Sequence, residues 1–350
     1  MRFSFYIVFV LFSGIFSLAT DFSHAQGDTT YYVSYRKMLT TRLYTSRKYT
    51  SLVLQDNLSD TRMRFEPNTN LNLGVGASYN DFTLNIAVGF PFMNPNMDRV
   101  DGRYLDLQGH VYPRNFVIDF FGQFYNGYYL QRINGQLVDD PDIMVFPDMR
   151  VRKFGANVQY LFNGDRLSLK ASFLQTGWQK KSAGSLLGGF EMYGGHAENP
   201  YPIPFEPDNP LSREFTRVGF LQFGPNIGYV ATLVIKKHFF LTGLVSSSMS
   251  FGFSNVEQNF DSSPQWNVTN TFFLRGFAGY NGPVWSINAN YVHANLGLPR
   301  VDDFANQLMT GNYRINFIYR FDVGPKLKKY LDYVDLERYL PEKLKKQKED

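Results

Sequence analysis

Residues 69–90, TNLNLGVGASYNDFTLNIAVGF, place an apolar side chain at every second position: Leu71, Leu73, Val75, Ala77 and Tyr79, then Phe82, Leu84, Ile86, Val88 and Phe90. Small or polar residues such as Asn72, Gly74, Gly76 and Asn85 fill most of the places between. Period two predicts strands with one apolar and one polar face. Asn80-Asp81 between the two runs is a tight-turn signal, so the stretch predicts a β-hairpin. The same alternation recurs at 104–112, 116–130, 150–163, 166–176, 218–235, 239–254, 266–280 and 284–296. In the last run, NYRINFIYRF (312–321), Tyr313, Ile315, Phe317, Tyr319 and Phe321 share one side, with Arg314, Asn316 and Arg320 on the other.

Turn lengths supply an independent check, because a two-residue hairpin turn pairs flanking residues that must share a face. Turns at Asn80-Asp81, Arg114-Asn115 and Asn281-Gly282 would pair Tyr79 with Phe82, Pro113 with Phe116 and Tyr280 with Pro283. A turn at Gly164-Asp165 sets Phe162 opposite Leu167, and Lys236-Lys237-His238 joins Ile235 to Phe239. Each keeps apolar beside apolar. Longer connections at 58–68, 91–102, 131–148, 177–217, 255–265 and 297–308 alternate with these short turns. With a first strand at 49–57, the rhythm predicts about twelve strands, in the pattern of a transmembrane antiparallel up-and-down β-barrel. Short turns and both chain ends would lie in the periplasm, and long loops outside. A β-sandwich explains the alternation but not the loop rhythm or the sparse strand charges. Segment 178–210 turns glycine-rich and then proline-rich; about fourteen strands result if 182–194 and 213–222 are separate, but that needs a long connection on the short-turn side, so twelve is preferred.

Composition supports a barrel. Aromatic residues make up 17% of the chain, a strand-favouring excess. Mean hydropathy is −0.27, which argues against a helical membrane protein. A net charge of +4 without a basic, aromatic-laced stripe points away from nucleic acid. Cysteine is absent, excluding disulfides and thiolate metal sites. Met1-Arg2, the apolar stretch Tyr6–Ala19 and the small residues of Ser23-His24-Ala25 have the layout of a secretory signal cleaved near Ala25. The expected organisation is a signal peptide (1–25), a periplasmic segment (26–48), a barrel in the outer membrane (49–323) and a charged tail (324–350). In the tail, Leu327, Tyr330, Leu331 and Val334 predict a periplasmic amphipathic helix before Pro341.

Four stretches, LTTRLYTSRKYTSLVLQD (39–56), FEPNTNLNLGVGASYNDFTLNIAVGFPF (65–92), YLDLQGHVYPRNFVIDFFGQFYNGYYL (104–130) and WQKKSAGSLLGG (178–189), carry a family likeness. GPNIGYVATLVIKKHFFLTG (224–243) shares it. The chain resembles an uncharacterised, domain-of-unknown-function family of Gram-negative outer-membrane β-barrel proteins. The resemblance implies the barrel and transfers no binding or catalytic residue.

Catalysis would need a nucleophile beside a base. No Gly-x-Ser-x-Gly elbow is present. His293, at the outward rim with Asn270 across from it and Thr310 near its level, has no well-placed serine. The sequence therefore reads as that of a non-enzyme without cofactor or metal. His110 falls across from Asp119 and Asp106 across from Gln123, all facing inward. The His110–Asp119 pair either braces a crowded wall or titrates to change the lumen's charge. Lys170, Arg275, Arg314 and Arg320 add charge to the same wall. A mixed-charge lumen predicts a narrow, gated solute pore. The alternative is a closed barrel that binds a ligand or partner through loop 177–217; a lipid-modifying enzyme ranks third. Expected partners are outer-membrane lipid, the barrel-assembly machinery through the last strand, and a small solute.

Overall fold

The computed structural model describes residues 28–79, 82–94, 100–112, 115–139, 141–206, 209–257 and 264–331. Its strands are β1 (Tyr32–Ser34), β2 (Leu39–Asp56), β3 (Thr61–Pro67), β4 (Asn72–Tyr79), β5 (Phe82–Gly89), β6 (Arg103–Val111), β7 (Phe116–Ile133) and β8 (Gln136–Leu137). Then follow β9 (Val145–Leu161), β10 (Gly177–Gln179), β11 (Ala183–Pro204), β12 (Glu214–Ile235), β13 (Phe239–Glu257), β14 (Gln265–Asn281), β15 (Trp285–Gly297) and β16 (Gln307–Phe321).

Ten of these strands close an antiparallel ring, in the order β2-β3-β7-β9-β11-β12-β13-β14-β15-β16. The last ladder runs from Gln307↔Val53 to Phe321↔Leu39 and returns to β2. The ring thus counts ten strands rather than twelve, with β4, β5, β6 and β8 attached outside it. The cause lies in how two strands divide their free edges. At the end where Leu39 and Phe321 lie (the near end), β2 pairs β4 from Thr40↔Ser78 to Ser46↔Asn72. At the far end it pairs β3 instead, from Leu52↔Phe65 to Asp56↔Thr61. On the other side, β7 holds β6 near (Val111↔Ile118 to Arg103↔Asn126) and β3 far. So β3, which the sequence marked as loop 58–68, bridges the far half of the wall. In the near half β5 pairs only β4 and β6 only β7, with no ladder between β5 and β6 among the described residues.

Outward positions are apolar and uncovered: Leu43, Val75, Ile86, Leu241 and Phe317 are each about half exposed. Such a band is stable only in apolar surroundings, since each such side chain left in water costs about 1.5–3 kcal/mol relative to burial. Aromatic rings gather at its near edge, with Tyr280 4.6 Å from Trp285 and Tyr319 4.7 Å from Phe321, as at a membrane interface. The strands of the ring reach 22 residues in β11 and β12. About 9–11 suffice to cross a bilayer, so the far half extends beyond the band. An apolar cluster that includes Leu52, Phe65, Tyr128, Val218 and Phe304 fills that half from within.

Hairpin registers Tyr79↔Phe82, His110↔Asp119 and Ile235↔Phe239 agree with the sequence pattern. Others differ. Pro283 cannot donate a ladder hydrogen bond. The β14–β15 ladder accordingly ends at Asn281↔Ser286, which places Leu274, not Asn270, opposite His293; on its other side Gly311 faces it, with Thr310 one residue away as expected. The expected loop 177–217 is mostly β11 and the start of β12, paired from Ala183↔Thr232 to Pro204↔Glu214. Segments 182–194 and 213–222 are therefore parts of those long strands. The first barrel strand starts at Leu39, ten residues before the expected 49. Residues 166–176 are not a strand at all: Lys170–Leu174 form a π-helical turn inside the near mouth. A short helix, Pro325–Leu331, follows the last strand. The expected signal peptide and the rest of the predicted tail helix lie outside the described residues.

Candidate functional site

The inward turn of 166–176 divides the interior. Leu167 and Leu169 pack with Val117, Leu187, Val230 and Leu244 in a second apolar cluster. Its backbone carbonyls are taken by donors on the wall. Arg320 donates to Gln175 O at 2.7 Å, and Asn281 Nδ2 to Gly177 O at 2.9 Å. Ser172 and Thr232 share a hydroxyl–hydroxyl bond of 3.1 Å. The two-stranded sheet of β1 and β10 covers the same mouth. Lys170 therefore sits on this plug, beside a small cavity of about 80 Å³, and not on a wall strand as expected.

Between plug and far cluster lies a cavity of about 530 Å³, within the range of small-molecule sites. Four cationic side chains line it: Arg42, Lys48, Arg275 and Arg314, with His110 beside them. Two carboxylates beside these cations are already engaged. Asp106 accepts from Lys48 Nζ at 2.9 Å, Gln123 Nε2 at 3.0 Å and Tyr125 Oη at 2.7 Å. Asp119 lies 2.7 Å from His110 Nδ1 and accepts from Arg275 Nη2 at 2.7 Å. Arg275 also donates to Tyr112 Oη at 2.9 Å.

Arg42 and Arg314 have no carboxylate partner among the described residues. Arg42 is 7% exposed and donates to Ser78 Oγ and Leu174 O, while its Nε is buried without a partner. Arg314 lies 4.4 Å above the Tyr44 ring, and its Nε is equally buried and unpartnered. The small residues of β4 make room for both. A Cβ on Gly76 would come within 2.9 Å of Arg42 Cγ, and one on Gly74 would overlap the Tyr44 ring. Gly74→Val should therefore displace Tyr44 and, with it, the support under Arg314. The check is the urea unfolding midpoint of the refolded barrel, expected to fall below the parent's while the barrel still folds.

Of the sequence-selected residues, Asp106, His110, Gln123, Arg275 and Arg314 line this cavity. Asp119 stands directly behind His110 and Arg275. Arg320, inward on β16, holds the plug through Gln175 O and does not line the cavity; it also donates to Gly282 O, Asn281 Oδ1 and Ser286 Oγ of the neighbouring wall. His293 faces outward with its Nδ1 3.1 Å from Tyr49 Oη. Arg42 and Lys48 escaped the sequence pattern because residues 26–48 were read as lying before the barrel. Their alternation was visible, but Thr41, Thr45 and Arg47 blur the apolar side.

The family model described as Domain of unknown function (DUF4421) matches residues 26–321. Among solved structures the fold is similar to the outer membrane protease OmpT from Escherichia coli, at 10% identity over 82% of this chain and 97% of that one, with a TM-score of 0.37. It is also similar to Ail, the attachment invasion locus protein of Yersinia pestis, at 12% identity, 80% and 99% coverage and a TM-score of 0.23. The Pseudomonas putida toluene transporter TodX gives 6% identity, 82% and 91% coverage and a TM-score of 0.24. No curated protein matches the chain by sequence. The expectation of a non-enzyme is corrected by the first of these: a protease stands among the barrels found, so the architecture does not exclude catalysis.

Proposed function

For a chain that belongs to this family of unknown function, we propose an outer-membrane β-barrel that takes a small anionic solute into a cavity inside its wall. The near end faces the periplasm in this reading, after export by the leader at 1–25. The carrying observation is the pair of guanidinium groups that line the cavity, buried Arg42 and half-buried Arg314, neither with a carboxylate partner among the described residues. A buried cation is costly unless paired, and arginine presents its donors in a fork that suits carboxylate and phosphate. The ligand anion would supply the missing charge. An open axial pore is less well supported, because apolar side chains fill the far half and the 166–176 segment occupies the near mouth.

Titration calorimetry of the refolded barrel in detergent tests this, with butyl phosphate as the anion and butanol as its neutral counterpart. Butyl phosphate should bind and butanol should not. Arg42→Ala and Arg314→Ala should each weaken binding about tenfold, the loss of one charge-assisted hydrogen bond of about 1.5 kcal/mol. Equal binding by the two alcohol-derived probes, no binding by either, or arginine variants that match the parent would overturn the proposal. So would discrete conductance steps from the intact chain in a planar bilayer.

A further inference from the structure

The cavity does not stop at the barrel's inner surface. Its lining includes Ile86 of β5 and Leu105 and Leu107 of β6, all on the outward, apolar face. The same cavity reaches Arg42 and Arg314 within. It passes between β5 and β6, where the ladders stop. On β5 the inward-facing Asn85 and Ala87 are exposed together with the outward Leu84, Ile86 and Val88, as expected where a wall is split. Bare strand edges are unfavourable in hydrocarbon, where each unpaired N–H or C=O costs several kcal/mol. Such a split needs something to shield or occupy it.

We propose that the β5–β6 split is a lateral door through which an anionic amphiphile, an acid head on an alkyl chain, enters from the membrane. The inference rests on the anion-binding cavity proposed above and adds its ligand class and route. Charge selects the head: Arg42 and Arg314 lie inside, and the neighbouring carboxylates are already bonded. Apolarity selects the tail: Ile86, Leu105 and Leu107 at the split are continuous with the lipid-facing band. Geometry selects the route. β3 bridges β2 and β7 at the far end and limits the split to the near half of the wall. The plug and the far apolar cluster lie along the two axial directions. The near half corresponds to the periplasmic leaflet in the proposed orientation.

The chain has no cysteine, so a paired substitution can seal the door cleanly. Asn85→Cys with Gln108→Cys places one thiol on each strand, both on the cavity side. Oxidation, or a short bis-maleimide where oxidation alone does not join them, closes the split; gel mobility reports closure. The protein is reconstituted in phosphatidylcholine vesicles that carry a diazirine-bearing fatty acid, photolysed and mapped by peptide mass. In the open state, adducts should form on cavity residues such as Phe173 and Val292 as well as on the outward band at Leu241. Sealing should lower the cavity adducts about tenfold or more relative to the Leu241 adducts, and Arg42→Ala with Arg314→Ala should do the same. Adducts confined to the outward band, or cavity adducts unchanged by sealing, would overturn the lateral door. If butyl phosphate still binds in that case, the cavity proposal stands without the door. Failure of butyl phosphate to bind the unmodified barrel removes the cavity proposal itself.

Discussion

Asp119→Asn should lower the unfolding free energy of the barrel by about 3–5 kcal/mol, the usual result of removing one partner from a buried ion pair. Asp119 is 1% exposed and Arg275 2%, so neither has water as a substitute. The carboxylate lies within 2.7 Å of both His110 Nδ1 and Arg275 Nη2. Asparagine keeps one acceptor oxygen but loses the charge, and Arg275 is left as an uncompensated cation beside Phe273, its guanidinium 4.6 Å from that ring. The pair joins β7 to β14 across the barrel interior, so its loss also weakens a contact that no ladder supplies. Urea unfolding of the refolded protein, followed by heat-modifiable gel migration, measures the change. A matched exchange, Asp119→Leu with Arg275→Met, removes both charges and should return most of the lost stability, because apolar replacement of a whole buried pair is often neutral or better. An Asp119→Asn barrel as stable as its parent would show that the pair is solvated and does not brace the wall.

One half of this cluster, His110 with Asp119, was legible in the sequence, whereas Arg275 was read only as an inward charge without a named partner. The Arg114-Asn115 turn sets His110 against Asp119 by counting alone, and the structure pairs them in that register. Strand parity likewise assigned the inward faces of β6, β7, β14 and β16 correctly, because a one-residue slip would turn every apolar side chain away from its surroundings. Two kinds of information were missing. The first concerns length. Period two says that a strand alternates, not where it ends or which neighbour it pairs, so residues 39–48 and 61–67 were lost to the barrel. With residues 39–48 went Arg42 and Lys48, half of the cavity's cations. The division of one edge of β2 between β3 and β4 is a property of three strands at once and has no local signature.

The second concerns segments whose alternation is satisfied in another way. Leu167, Leu169, Ala171 and Phe173 alternate as well as any strand here. They nonetheless coil into the near mouth, where the apolar side chains reach an interior cluster and the backbone carbonyls reach wall donors. A periodicity rule registers only which side chains avoid water, and burial inside a barrel meets that requirement as fully as lipid does. The hint lay elsewhere in the chain, in the inward Arg320 and Asn281, whose donors needed acceptors.

Arg320→Met tests that account directly. The guanidinium makes five hydrogen bonds, two of them to Gln175 O and the others to Gly282 O, Asn281 Oδ1 and Ser286 Oγ. It also lies 4.7 Å from the Tyr35 ring, which ties in the chain just before β2. Methionine keeps much of the side chain's length and all of its apolar packing but donates nothing. The ladders of β16 to β15 and β2 do not use this side chain, so the ring should stay closed and migrate as folded on a gel. The plug should loosen. Ser172 is 1% exposed on it, so Ser172→Cys reports its opening through reaction with a membrane-impermeant maleimide. Loss of about 3 kcal/mol of charge-assisted hydrogen bonding corresponds to labelling roughly a hundredfold faster in the Arg320→Met background. Asn281→Ala, which removes the donor to Ala171 O and Gly177 O, should accelerate labelling in the same direction by a smaller factor. An unchanged rate in both variants would mean that apolar contacts of Leu167 and Leu169 hold the plug, and that its fit to the mouth is a matter of shape rather than of hydrogen bonds.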